Sequence, residues 1–255
     1  MRLPPTGSPS DPYRNNCMEL FFCNAIDDNP VMLGPDESWH LSKVLRLRVG
    51  DAVAVTDGHG GFGTGEIMDI NPKAALIRLN EVRRDYNRRP YSLHIAIAPT
   101  KNIDRVEWFL EKATEIGIAA ISPIRCQRSE RKDVRIDRLE KVVMAAVKQS
   151  LQAYLPQIHP MESLSKFLES NPAGQRFACI THQTPEDGLQ FLARPGGRVV
   201  IVIGPEGDFT ENEINLLLQH GFRGCSLGPN RLRTETAGLA ACHTIALINQ
   251  VRTNA

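Results

Sequence analysis

Apolar positions along this chain change their period part-way, and the change divides it. From Met18 to Asn87 they fall in short strand-like runs: Glu19 to Cys23, Asp51 to Thr56, Phe62 to Ile70 and Ala74 to Leu79. Turn-forming segments separate the runs, namely Gly50-Asp51, Asp57-Gly58-His59-Gly60-Gly61 and Asn71-Pro72. Short apolar runs bounded by glycine, proline and asparagine predict strands, and this series predicts a small β-barrel. One stretch breaks the pattern: Ser38 to Leu47 places Leu41, Val44 and Leu45 at helical spacing, with Lys43, Arg46 and Arg48 on other faces.

From Ser92 onward strand and helix patterns alternate. His94 to Pro99 reads as a strand, Asp104 to Gly117 as a helix with Val106, Phe109, Leu110 and Ala113 on one face, and Ala119 to Ile124 as a strand. Asp137 to Gln152 repeats the helical period through Leu139, Val142, Val143 and Ala146. Arg176 to Thr181, Val199 to Ile203 and Arg223 to Leu227 supply three more strands. Thr210-x-x-Glu213 is a capping box opening a helix with the stripe Ile214, Leu217 and Leu218, and Glu235 to Val251 is a last helix with small residues near its start. Such alternation predicts an α/β domain built on a mostly parallel sheet covered on both faces. The boundary falls at the arginine-rich stretch before Pro90, giving domains 18–89 and 90–255. Residues 1–17, with four prolines and many small polar residues, read as a disordered extension, and Met18 is a second possible start.

Two glycine-proline turns carry the chemistry. Gly204-Pro205-Glu206-Gly207-Asp208-Phe209 and Leu227-Gly228-Pro229-Asn230-Arg231-Leu232-Arg233 each follow a short apolar run, and strand-turn-helix junctions are where open α/β sheets bind ligands. Neither has the third glycine of a dinucleotide fingerprint or the glycine-lysine step of a phosphate loop. The ligand is therefore one not held by its phosphates.

Charge and cysteine content bound the partners. A net charge of +1 at pH 7 removes any global electrostatic argument, but four of the seven residues from Arg83 to Arg89 are arginine. Basic segments of this kind fit a polyanion or merely a solvated face. Six cysteines lie scattered with no Cys-x-x-Cys pair and no histidine at zinc spacing, so no metal site is expected, and that usage suits a reducing cytoplasm. No apolar run is long enough to span a membrane.

Taken together the motifs resemble the RsmE family of ribosomal RNA methyltransferases, of the SPOUT superfamily. The resemblance runs from Glu19 to the C-terminus. It rests on His40-Leu41-x-x-Val44-Leu45-Arg46, Gly50-Asp51, Lys101-x-x-Asp104-Arg105-x-Glu107, Lys112-Ala113-Thr114-Glu115-x-Gly117, Pro123, Arg128-Ser129, Gln149-Ser150, Gly204-Pro205-Glu206-Gly207-x-Phe209 and Leu227-Gly228 with Leu232-Arg233-Thr234-Glu235-Thr236-Ala237. Asp208 stands where the family often has a second glycine, Asn230 where it often has an arginine, and Lys148 where it often has a glutamate. The family also often has an arginine shortly after the Gln-Ser pair, where this chain reads Leu151-Gln152-Ala153.

What the resemblance implies is specific. It implies a PUA-like barrel followed by a trefoil-knotted methyltransferase domain, although chains seldom thread loops. The activity implied is S-adenosylmethionine-dependent methylation of N3 of a uridine in the decoding region of 16S ribosomal RNA, within the 30S subunit, by a homodimer. Thr181, Ile203, Gly204, Pro205, Glu206, Gly207, Leu227, Gly228, Leu232, Thr236 and Ala237 would then hold the cofactor, the glycines by close approach and the aliphatic residues as walls for the base. Arg233 would steady charge on the uracil, and Glu206 or Glu235 would take the proton; a carboxylate in the first turn of a helix is equally accounted for by the helix dipole. Lys43, Arg46, Arg48, Lys101, Arg105, Arg125, Arg128 and Arg131 are the expected RNA contacts. No row of stacking aromatics marks the barrel, which points base recognition toward RNA shape. Two other classes stay open, a non-catalytic RNA-binding assembly factor and an α/β enzyme for another nucleotide.

Overall fold

The computed structural model describes residues 18–170, 173–181 and 184–250, so the expected extension over 1–17 lies outside the described residues. The chain separates into two compact units, the first through Tyr86 and the second from Asn87.

The first unit contains β1 (Leu20–Phe22), β2 (Val31–Met32), α1 (Pro35–Trp39), β3 (Ala52–Thr56), β4 (Phe62–Asp69) and β5 (Leu76–Arg83). Its sheet runs β1-β3-β4-β5-β2, and a bridge between Cys23 and Leu33 joins the two edges into a barrel. Phe21, Val31, Leu33, Leu41, Val53, Val55, Ile67 and Ile77 fill the interior. Alternation in the strands supplies most of these, each burial worth about 1.5–3 kcal/mol. β2 escapes the sequence reading because two residues are too few to show a period.

The helical stretch differs from expectation in a way that matters later. It starts at Pro35, and α1 passes directly into a π-helical turn over His40–Val44, closed by the Leu45 amide donating to the His40 carbonyl at 3.0 Å. The wider turn changes which residues face inward. Leu41 is fully buried and Leu45 packs on the core, whereas Val44, expected beside them, is exposed.

The second unit contains β6 (Tyr91–Ile97), α2 (Ile103–Ile116), β7 (Ala120–Arg125), α3 (Ile136–Gln149), β8 (Gln157–Ile158), β9 (Glu162–Ser163), α4 (Leu164–Glu169) and β10 (Gln175–Cys179). It continues with α5 (Leu189–Leu192), β11 (Gly197–Ile203), α6 (Glu211–Gln219), β12 (Arg223–Cys225) and α7 (Thr234–Gln250). The sheet order is β12-β10-β11-β6-β7-β8, and every pairing in it is parallel. Along β6 and β11 successive side chains go to opposite faces. Ala96, Val200 and Val202 meet Phe167 and Leu168 of α4 and Leu217 of α6. On the other face α7 packs on β6 and β11 and against α2.

Local signals set the helix ends. Asn102 caps α2 by accepting from the Asp104 amide at 3.1 Å, and Gly117 ends it in the left-handed region. The Thr210–Glu213 capping box is present in both directions. α3 stops at Gln149 rather than Gln152: Leu151 takes φ +51°, and the Gln152 side chain turns away to donate from Nε2 to the Thr114 carbonyl at 2.7 Å. β8, β9, α4 and α5 were not expected, being too short for their periods to register.

His94 on β6 reports on this packing. Its imidazole shares a 2.8 Å hydrogen bond with Ser122 Oγ and lies edge-on to Phe167, 5.2 Å from the His159 ring. Burial, and secondarily His159, lower its pKa from 6.5 to about 4. The folded state thus prefers the neutral ring, so its contribution is complete above pH 6.5 and is lost as pH falls toward 4. Chemical unfolding should show stability falling in that window by up to about 1.4 kcal/mol per pH unit more in the wild type than in His94→Gln. Parallel curves for the two proteins would contradict it.

Candidate cofactor and active site

Both glycine-proline turns leave the sheet at the C-terminal ends of their strands, the first from β11 and the second from β12. They form opposite walls of one cleft of about 1030 Å³, room enough for a nucleoside-sized ligand. A buried hydrogen bond closes them on each other: Thr234 Oγ1 donates to the Gly204 carbonyl at 3.2 Å. Gly204 is fixed by close approach, since a Cβ there would lie 3.1 Å from the Phe209 ring. Gly228 takes φ +117°, a conformation that side-chain-bearing residues rarely adopt.

Asp208 occupies a left-handed position without being glycine. Its φ is +61°, and its carboxylate makes the conformation tolerable through local bonds. Oδ1 accepts from the Phe209 amide at 2.8 Å, and Oδ2 accepts from the Thr181 amide at 3.3 Å and from the Thr181 hydroxyl. The side chain that replaces a glycine therefore ties the end of β10 to the turn after β11.

Of the eleven residues expected to hold a cofactor, ten line the cleft. Thr236 does not: it is exposed on α7 and absent from the lining, whereas Thr234, two residues earlier, lines the cleft and bonds to Gly204. Two positions apart on α7, the two threonines lie about 200° apart around the helix, so only one of them can face the cleft.

The three expected catalytic residues are placed differently. Arg233 is exposed and lines the cleft. Glu206 also lines it; Oε1 accepts from the Lys101 amide at 3.1 Å, while Oε2 is buried with no hydrogen-bond partner among the described residues. Arg131 supports this arrangement by donating to the Thr100 and Lys101 carbonyls at 3.0 and 2.6 Å. Glu235 is buried outside the lining, with Oε1 3.8 Å from Arg105 Nε.

The expected RNA contacts divide as well. Lys43, Arg46 and Arg48 are exposed on the first unit, and Lys101, Arg125 and Arg128 on the second. Arg131 is committed to the two carbonyls, and Arg128 donates to the Gly207 carbonyl at 2.8 Å, so both also brace the site. Arg105 and Arg128 line the cleft together with Arg231 and Arg233. Arg231 donates to the Glu206 carbonyl at 3.2 Å, a link between the turns that the sequence did not disclose.

Comparison with known proteins identifies the assembly. The RNA methyltransferase domain family matches residues 87–246, and the RNA methyltransferase PUA domain family matches residues 33–80. A ribosomal RNA small subunit methyltransferase E of Synechocystis is 30% identical over 222 residues, 85% of this chain and 72% of that protein. The chain belongs to the ribosomal RNA small subunit methyltransferase E family. Its fold is shared with a probable rRNA methyltransferase from Porphyromonas gingivalis, 34% identical with a TM-score of 0.82 over 92% of this chain and 99% of that one. The family member from Neisseria gonorrhoeae, solved with S-adenosyl methionine bound, is 25% identical with a TM-score of 0.81 over 91% of this chain and 98% of that one. The fold is thus the SPOUT type expected, with a PUA domain at its N-terminus.

Thr234→Val removes the hydroxyl joining the two turns at nearly constant volume. Titration calorimetry with S-adenosylmethionine should show roughly fivefold weaker binding, the equivalent of about 1 kcal/mol for one such bond. Unchanged affinity would mean that the turns hold their spacing without it.

Proposed function

We propose that this protein methylates N3 of a uridine in the decoding region of small-subunit ribosomal RNA, with S-adenosylmethionine as the donor and the 30S subunit as the substrate form. The observation carrying this reading is the single cleft between the two turns in a chain of this family. Its residues suit the cofactor: Ile203, Leu227 and Leu232 offer apolar walls for an adenine, and the glycine-containing turns offer backbone groups to its polar edge. When bound, S-adenosylmethionine supplies a methyl group on a positively charged sulfur, already activated toward a nucleophile.

The chain's own task is to align the uracil and manage one proton. Glu206 is the better proton acceptor of the two carboxylates because it lines the cleft and Glu235 does not; each has one buried oxygen without a hydrogen-bond partner among the described residues. Glu235 faces Arg105 behind the lining and acts as a positioning residue for that arginine. Arg233 stabilises negative charge on the uracil oxygens as the N3 proton leaves. Homodimerisation, a cytoplasmic location and a trefoil-knotted path for the second unit belong to the same reading and rest on the family resemblance.

Single-turnover methyl transfer to undermethylated 30S subunits tests the assignment. Glu206→Gln should lose about 10²–10⁴-fold in rate with little change in cofactor affinity, and Arg233→Ala should lose rate as well. Wild-type turnover in Glu206→Gln would remove it as the base.

A further inference from the structure

Just before the π-helical turn in the first unit, a tryptophan presents more than half of its surface to solvent. Trp39 is 55% exposed at the end of α1, while its neighbours Ser38 and Leu41 are completely buried. Exposing an indole to water forgoes the burial that makes tryptophan worth having in a core. Lys43 follows four residues on, and the helical backbone continues through both positions, so the two side chains occupy the same face. The wider π turn brings that fourth residue still closer to direct overlap. Arg46 and Arg48 come next, both exposed, and among the described residues none of Lys43, Arg46 and Arg48 forms an ion pair with a carboxylate.

An exposed aromatic face followed by three unpaired cations is the pattern that binds a single-stranded nucleic acid: a base stacks on the ring, and the flanking phosphates meet the cations. A protein partner for an apolar patch of this size would leave the three cations unmatched, whereas RNA uses both halves. We propose that Trp39 is a stacking platform for one unpaired base of the RNA substrate, with Lys43, Arg46 and Arg48 contacting the adjoining phosphates. This rests on the RNA-directed reading above and adds to it a base contact. The sequence concealed it because a single tryptophan makes no row of aromatics, and its exposure depends on where the helix starts and how its last turn winds.

Stacking and phosphate contacts answer differently to salt, which makes the inference testable. The full chain carrying Trp108→Phe leaves Trp39 as its one tryptophan, of the two in the sequence. Titration with a single-stranded RNA oligonucleotide should quench its fluorescence. Trp39→Ala should weaken binding roughly 5- to 100-fold while leaving the slope of log affinity against log salt unchanged, and Trp39→Phe should recover part of the loss. Lys43→Ala should instead reduce that slope by about one unit. RNA binding by Trp39→Ala at wild-type strength, or no quenching on binding, would overturn the proposal. So would loss of self-association in Trp39→Ala without loss of RNA binding, which would assign the face to a second copy of this chain. Because these readouts need no methyl transfer, an inactive protein that still binds RNA through Trp39 would refute the catalytic reading alone.

Discussion

The hydrogen bond from Thr234 to the Gly204 carbonyl is short-range, but the geometry of the site depends on it. Gly204 directly follows β11, whose seven-residue register with β6 runs from Gly197–Tyr91 to Ile203–Ile97. Thr234 opens α7, which is clamped to the same sheet from behind. At Gly238 on α7 a Cβ would come within 2.7 Å of Phe109 on α2 and 3.1 Å of Ile97 on β6. Little freedom remains in where α7 starts, so the bond joins two rigid bodies rather than two loops. The cleft inherits its width from the packing beneath it.

The same constraint separates residues that look alike in sequence. Glu206 and Glu235 both sit beside the cleft-forming turns, but the α7 backbone directs Glu235 into the protein and toward Arg105, while the turn after β11 leaves Glu206 on the cleft wall. Arginines divide in the same manner. Arg128, Arg131 and Arg231 donate to backbone carbonyls and hold the turns in place, whereas Arg233, which lines the cleft beside Arg128 and Arg231, makes no such bond among the described residues. A buried or braced charge shapes the site, and a cleft-facing one is available to a substrate.

Most of the architecture was legible because it follows from periodicity and turn chemistry. The parallel sheet, the main helices, the Thr210 capping box and the end of α2 at Gly117 all rest on signals contained within a few residues. Ten of the eleven residues expected at the cofactor line the cleft, and most of them fall in or beside the two glycine-proline turns, which a local pattern can show. The rest depended on phase or distance. The resemblance implies Thr236 at the cofactor, yet Thr234 is the threonine of that motif that lines the cleft, and which side of α7 faces the cleft is set by tertiary packing. A 3.6-residue period predicts Val44 on the inward face, but the π turn leaves it exposed. The Asp208–Thr181 and Arg231–Glu206 links join residues more than 20 positions apart, and no local pattern announces them.

Delivery of a methyl group to one uridine of small-subunit ribosomal RNA is the function proposed for the paired turns. Mass-spectrometric mapping of that RNA from cells with and without the gene tests it most directly. One N3-methyluridine in the decoding region is expected to disappear with the gene and to return with the wild-type chain. An unchanged modification map would contradict it.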